Sequence, residues 1–162
     1  MEKVNANIKS CLQPMPKILV SCRGADGRNN ALAVAYCGNC SYDPLMVGIV
    51  PSRFSYHMIE ETKCFVVNLV GPGQKEIFDY LGSHSGSQED KLAKCGAAVV
   101  NGEKVNAPIL ADCPVNIECT VVDSIMTGSH KMYVGKIEAV HCDKSYVKAN
   151  RDIDFSKIEL IK

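Results

Sequence analysis

The run Pro51-Ser52-Arg53-Phe54-Ser55 gathers several groups that could hold an anion. Pro51 ends an apolar strand over residues 45–50, because proline fixes φ and has no N–H to give a ladder. Ser52 is placed to cap a helix over residues 53–62, in which Phe54, Met58 and Ile59 share one side. A helix start carries unpaired N–H groups and partial positive charge. Arg53 in that first turn opposes the helix dipole, by a few tenths of a kcal/mol. With an anion present the same residues make sense together. Free N–H groups, the hydroxyls of Ser52 and Ser55 and a guanidinium fork suit a phosphate. Without one, the segment is an ordinary capped helix with a solvated arginine, and these residues alone leave both readings open.

Two further polar sets stand at strand ends. Asn30 opens a strand that continues through the small residues Ala31, Ala33 and Ala35, with Leu32 between them. Ser41, Asp43 and Pro44 occupy the loop before the next strand. If these strands are neighbours, the three sets line one cleft with a cationic end, suited to a flat, phosphate-bearing cofactor. The alternative is three separate turns built from the usual turn residues.

Other constellations carry less. Cys37-Gly38-Asn39-Cys40 is a C-x-x-C, but the residues after it are Ser-Tyr-Asp-Pro and a strand. A thioredoxin-type site needs the motif at a helix start, where the dipole lowers a thiol pKa. A structural zinc site needs four ligands, and His57, His84, His130 and His141 are scattered. Gly82-Ser83-His84-Ser85-Gly86 resembles a nucleophile elbow only superficially, since it sits in a polar loop. There is no P-loop and no G-x-G-x-x-G after a strand, which disfavours ATP and a dinucleotide fold.

The elements that must position these groups follow from patterning. Strands are expected over 17–22 and 30–36 around the glycine turn 24–29, then over 45–50 and 64–70 on either side of the helix. Residues 37–44 read as loop. A short helix is expected over 74–81, a mobile polar loop over 82–88, and a helical turn over 89–95 ended by Gly96. Weak strands follow over 97–100 and 104–110. Val115, Ile117, Cys119 and Val121 alternate with Asn116, Glu118 and Thr120, which predicts a strand with its polar face in water. Residues 131–142 form its partner, with Gly135 where the apolar parity changes, a position for a β-bulge. Residues 158–161 could add a last strand. Adjacent strands with tight turns pair antiparallel, and a sheet of this length closes to remove its edges. The expectation is a mainly β chain, a barrel with helical insertions, in one domain over 1–162.

Composition narrows the partners. The 162 residues carry 18 basic and 18 acidic side chains, so no net charge favours nucleic acid or an anionic membrane, and neither partner is expected. No apolar run is long enough to span a bilayer and no h-region opens the chain, so a cytoplasmic protein is expected. Nine cysteines, an odd and scattered set partly inside apolar runs, fit buried hydrophobes in a reducing compartment.

The order of these pieces resembles the flavin reductase-like family of FMN-binding split barrels. It runs through Pro16-Lys17-Ile18-Leu19-Val20, Asn30-Ala31-Leu32-Ala33, Ser41-Tyr42-Asp43-Pro44 and Pro51-Ser52-Arg53-Phe54-Ser55. It continues through Phe65-Val66-Val67-Asn68-Leu69, Asp90-Lys91-Leu92, Ile117-Glu118-Cys119 and Gly128-Ser129-His130, ending at Gly135-Lys136-Ile137. The resemblance implies an antiparallel Greek-key split β-barrel that forms a homodimer, with non-covalent FMN near the subunit interface. Asn30, Ala31, Leu32 and Ala33 would border the isoalloxazine, Ser41 and Asp43 its ribityl side, and Ser52, Arg53 and Ser55 the phosphate. Lys91 and His130 match positions near the flavin, on the same or the partner subunit, and are the candidates for a catalytic role. Leu45 stands where a second proline is common, and Ser55 where threonine is common. The implied activity is an NAD(P)H-dependent flavin or ferric-type reductase, with free flavin, a partner protein or an iron complex as acceptor. The competing expectation is a flavoredoxin-type electron carrier with no nicotinamide site. A third, of a different class, is a thiol-redox or metal protein built on Cys37 and Cys40.

Overall fold

The computed structural model describes residues 1–162. Strands β1 (Ile18–Arg23) and β2 (Asn29–Val34) form a hairpin in register Ile18↔Val34 to Arg23↔Asn29. Its turn needs Gly27, whose φ of 83° lies in the left-handed region. β3 (Cys37–Asn39) and β4 (Leu45–Ile49) pair next, followed by α1 (Phe54–Thr62) and β5 (Cys64–Leu69). Then come α2 (Lys75–Ser83), α3 (Lys91–Lys94), and the short pair β6 (Val99–Asn101) and β7 (Pro108–Leu110). The long strands β8 (Val115–Thr127) and β9 (His130–Cys142) complete the main sheet.

That sheet has seven strands in the order β2-β1-β5-β8-β9-β4-β3, and every pairing is antiparallel. β2 and β4 lie toward opposite ends of this order, yet Leu32 and Val34 share one core with Leu45, Val47 and Ile49. Sharing a core across the sheet requires it to curl into a barrel. Met58 and Ile59 of α1 plug that core beside Phe65 and Tyr133. Mainly β architecture with short helical insertions is therefore what folds.

Several local expectations change. Cys37–Asn39 is a strand rather than loop. Residues 158–161 add no strand. Ile161 N–H instead donates to Val70 O at 2.9 Å, tying the tail down. The polar face of β8 is not in water, because β6, β7 and the turn between them cover it. Glu118 Oε1 accepts from Lys104 N (2.8 Å) and Val105 N (3.0 Å), and its other oxygen pairs with His141. Asn116 donates to Asn68 Oδ1 (2.8 Å) and Leu110 O (3.0 Å). Buried polar groups are retained only when paired in this way.

The irregularity expected at Gly135 is real but doubled. The β8–β9 register shifts between Val121 and Asp123, beside the Val121↔Gly135 pair, and again between Glu118 and Cys119. Glycine is required at 135 for space. A Cβ there would lie 2.7 Å from Phe65 Cζ and 2.9 Å from Cys119 Cβ.

Candidate functional site

The start of α1 is uncapped. Arg53 is its N-cap residue and no side chain bonds the first turn, so Ser52 does not have the capping role expected of it. Arg53 N–H donates to Val50 O (2.9 Å) and Tyr56 N–H to Arg53 O (3.0 Å), which leaves the N–H groups of Phe54 and Ser55 without a protein acceptor. The Arg53 guanidinium meets no carboxylate of the chain. Unpaired donors, the positive end of a helix and a free cation coincide here, a combination suited to an anion.

These groups face a cavity of about 160 Å³ whose lining includes Asn30, Leu32 and Ala33 of β2, Ser52, Arg53 and Ser55, and Lys91. β2 and α1 are tied together at that point, since Asn30 Nδ2 donates to Ser55 Oγ at 2.8 Å and both residues are buried. Lys91 is 3% exposed and donates from Nζ to Leu81 O (2.8 Å) and His84 O (3.0 Å). Burial pulls its ammonium down to about 8, and the nearby Arg53 charge adds to that. Two cations and two free amide donors around one small cavity fit a dianionic phosphate.

Not every candidate comes here. Ala31 is buried in a second core with Leu19 and Leu81 and is absent from the cavity lining. Asp43 Oδ1 accepts from Ile137 N at 3.0 Å and Ser41 N–H donates to Pro44 O at 3.3 Å, so both shape the β3–β4 turn and neither lines the cavity. His130 lies at a second cavity of about 720 Å³, edge-on to Tyr36 with ring centroids 4.7 Å apart and its Nδ1 2.9 Å from Ser129 Oγ. That cavity is walled by Met46, Met132, Cys37 and the segment before β1. Ala35 and Tyr36 border it, and Ala35 is two residues, about 7 Å of extended chain, beyond Ala33. The two cavities therefore follow one another along β2, a small cationic one and a larger apolar one.

Residues 81–86 were missed. They read as the end of a helix and a mobile polar loop, yet α2 runs on to Ser83 and Leu81, Ser83, His84 and Gly86 form a wall of the cationic cavity. The available signal was the pair of glycines. A Cβ at Gly82 would meet Ala33 Cβ at 3.0 Å, and one at Gly86 would meet Phe54 Cδ1 at 2.5 Å and Asn30 Oδ1 at 2.7 Å.

The thiol reading loses its support. Cys37 and Cys40 sit on the β3–β4 hairpin rather than at a helix start, so neither has the dipole that a thioredoxin-type site uses. Burial pushes the Cys37 thiol up to about 11, away from the thiolate that redox chemistry uses.

Comparison with known proteins agrees with this fold. The flavoredoxin structure from Methanosarcina acetivorans superposes with a TM-score of 0.90 at 28% identity, over 99% of this chain and 85% of that one. Flavoredoxin of Desulfovibrio vulgaris (Miyazaki F) gives 0.89 at 28% identity, over 96% and 85%. The FMN reductase (NADH) RutF of Pseudomonas syringae pv. syringae is 30% identical over 113 residues, 69% of this chain and 61% of that protein. No helix here is long and apolar enough to cross a membrane. Residues 12–154, which include every strand of the barrel, match the flavin reductase like domain, and the chain belongs to that family.

Proposed function

We propose that the chain is an FMN-binding oxidoreductase that passes electrons from NADH or NADPH to a second acceptor. The observation that carries this is the convergence of Arg53, Lys91 and the free N–H groups of Phe54 and Ser55 on one cavity beside β2. Bound FMN would supply the redox chemistry, with N5 of its ring as the hydride acceptor. Arg53, Ser52 and the two amides would hold the phosphate, and Lys91 would add positive charge from beneath. Asn30, fixed by Ser55, would present polar edge groups to the ring system, while Leu32 and Ala33 would let it lie close to the strand. The apolar cavity at Tyr36 and Met132 would keep water from the far end of the ring and receive the second reactant, with His130 at its rim. Alignment of two rings, rather than a protein acid or base, is then the main contribution of the chain.

A homodimer is part of the same proposal. The β8–β9 arm leaves Val122, Ile125 and Met126 at 57%, 62% and 54% exposure, and a second copy of the chain is the surface we assign to cover them. Light scattering that finds only monomer removes this part.

The test of function is direct. Protein purified without added flavin, or reconstituted with FMN, is expected to be yellow and to release the flavin on denaturation. The FMN-loaded protein is expected to oxidise NADH or NADPH when an acceptor is present. A colourless protein that takes up no FMN refutes the proposal. The likeness to two flavoredoxins favours a second reading, an electron carrier without a nicotinamide site. FMN bound, no oxidation of either nucleotide, and reduction by a ferredoxin-like donor would establish it in place of the first.

A further inference from the structure

The wall over the cationic cavity is held by side chains that are not part of its anion-binding set. Arg28, at the end of the β1–β2 turn, donates from Nη2 to Gly86 O at 2.9 Å. Its guanidinium also lies 5.0 Å from the centroid of the Phe54 ring, the first residue of α1. Gly86 is buried, and it is pressed so closely on Phe54 and Asn30 that no Cβ fits. Asn30 in turn holds Ser55. Arg28, Phe54, Gly86, Asn30 and Ser55 therefore form one connected cluster around the seat, with Arg28 on its outer side and absent from the cavity lining. At the other end of the wall, Lys91 holds Leu81 O and His84 O, and the His84 ring stacks on Tyr80 at 3.8 Å. Between these clips Ser83 and His84 are tied back to α2, with Ser83 Oγ donating to Asp79 O (2.8 Å) and His84 N–H to Tyr80 O (3.1 Å), and Ser85 O accepts from Gln88 N–H (3.1 Å). The Arg28 bond at Gly86 is therefore the one that ties this wall to the β1–β2 turn.

We propose that Arg28 is a positioning residue, which acts through Gly86 to hold residues 83–86 as a strap across the phosphate end of the cofactor cavity and so sets how firmly a phosphate-bearing flavin is retained. This rests on the FMN reading above and adds to it a residue that neither touches the cofactor nor follows from the resemblance. The physical reason is preorganisation. A loop already fixed in its closed position costs no ordering entropy when the ligand arrives. The strap lies at the phosphate end, so its loss should matter to FMN and not to riboflavin, which lacks the phosphate.

The test uses the full chain in three forms: wild type, Arg28→Ala and Arg28→Lys. Amide hydrogen exchange on the apoprotein and equilibrium titration with FMN and with riboflavin are measured for each. Arg28→Ala is expected to raise exchange across residues 83–87 and to weaken FMN by about tenfold, the scale of a lost charged hydrogen bond, with riboflavin unchanged within about twofold. Arg28→Lys keeps the charge and one donor and is expected to recover most of the loss. Gly86→Ala, whose methyl would meet Phe54 and Asn30, should raise the same loop exchange without altering charge. Unchanged loop exchange in Arg28→Ala, or equal weakening of FMN and riboflavin, overturns the proposal while leaving FMN binding in place. A wild-type protein that binds neither flavin overturns both this proposal and the reading beneath it.

Discussion

Replacing Arg53 by alanine isolates the anion seat from the rest of the fold. The side chain borders the cationic cavity and makes no ion pair with any carboxylate of the chain, so its removal breaks no contact of that kind. As an N-cap cation it opposes the helix dipole, so alanine there leaves stability unchanged or slightly raised. A charged hydrogen bond to phosphate is worth roughly 1.5–3 kcal/mol, which corresponds to about 10- to 150-fold in FMN affinity. Arg53 is exposed, so the loss should sit toward the lower end and shrink further in high salt. Flavin fluorescence titration of the apoprotein measures it, with riboflavin as control and a thermal melt to confirm the fold. Riboflavin affinity should be the same in both proteins. FMN affinity within twofold of wild type, or an equal fall for riboflavin, would refute the assignment of Arg53 to the phosphate.

The remaining predictions address charge, packing and acid stability. Burial pulls Lys91 down to about 8, so FMN affinity is expected to fall about 3- to 10-fold between pH 7 and pH 9, the worth of one screened charge pair, and Lys91→Gln should abolish that slope. The folded pKa of Lys91 lies below its unfolded value, so the same titration makes the apoprotein more stable as pH rises from about 8 toward 10.5, visible in urea melts. Glu60 accepts from Lys131, Tyr133 and Lys63, and these bonds hold its carboxyl down to about 2. The stability this contributes is complete above the usual carboxylate range and lost as pH falls from about 4.5 toward 2. Glu60→Gln should therefore lower Tm at neutral pH and flatten its decline in acid. Gly135→Ala sets a methyl 2.7 Å from Phe65 Cζ and should cost about 1–3 kcal/mol in chemical denaturation.

Much of the candidate site could be read from local sequence. Pro51 marked the end of β4, and the apolar spacing of Phe54, Met58 and Ile59 marked α1, so the position of Arg53 at a helix start followed from chain-local rules. Asn30 at the head of β2 and Lys91 at the head of α3 were likewise placed correctly on their elements. Their meeting at one cavity was not legible, because β2, α1 and α3 are brought together by long-range packing with no sequence period of its own. Ser41 and Asp43 show the converse. Their types suited a ligand, but Ser41 N–H bonds Pro44 O within the β3–β4 turn, the Asp43 carboxylate ties that turn to Ile137 of β9, and neither residue lines the cationic cavity. Glu118 and Asn116 looked solvated because strand alternation reports one sheet face, and cannot report that β6 and β7 cover the other.

By itself, then, the sequence determined most of the element types, the antiparallel turns and the chemical character of the α1 start. Each of these depends on neighbours a few residues away, which propensity and periodicity record. The tertiary structure decided which of those residues share a cavity and which merely share a motif. It also decided that residues 83–86 are a wall rather than free loop, because Arg28 and Lys91 reach their carbonyls only once β2, α1 and α3 have packed around the barrel.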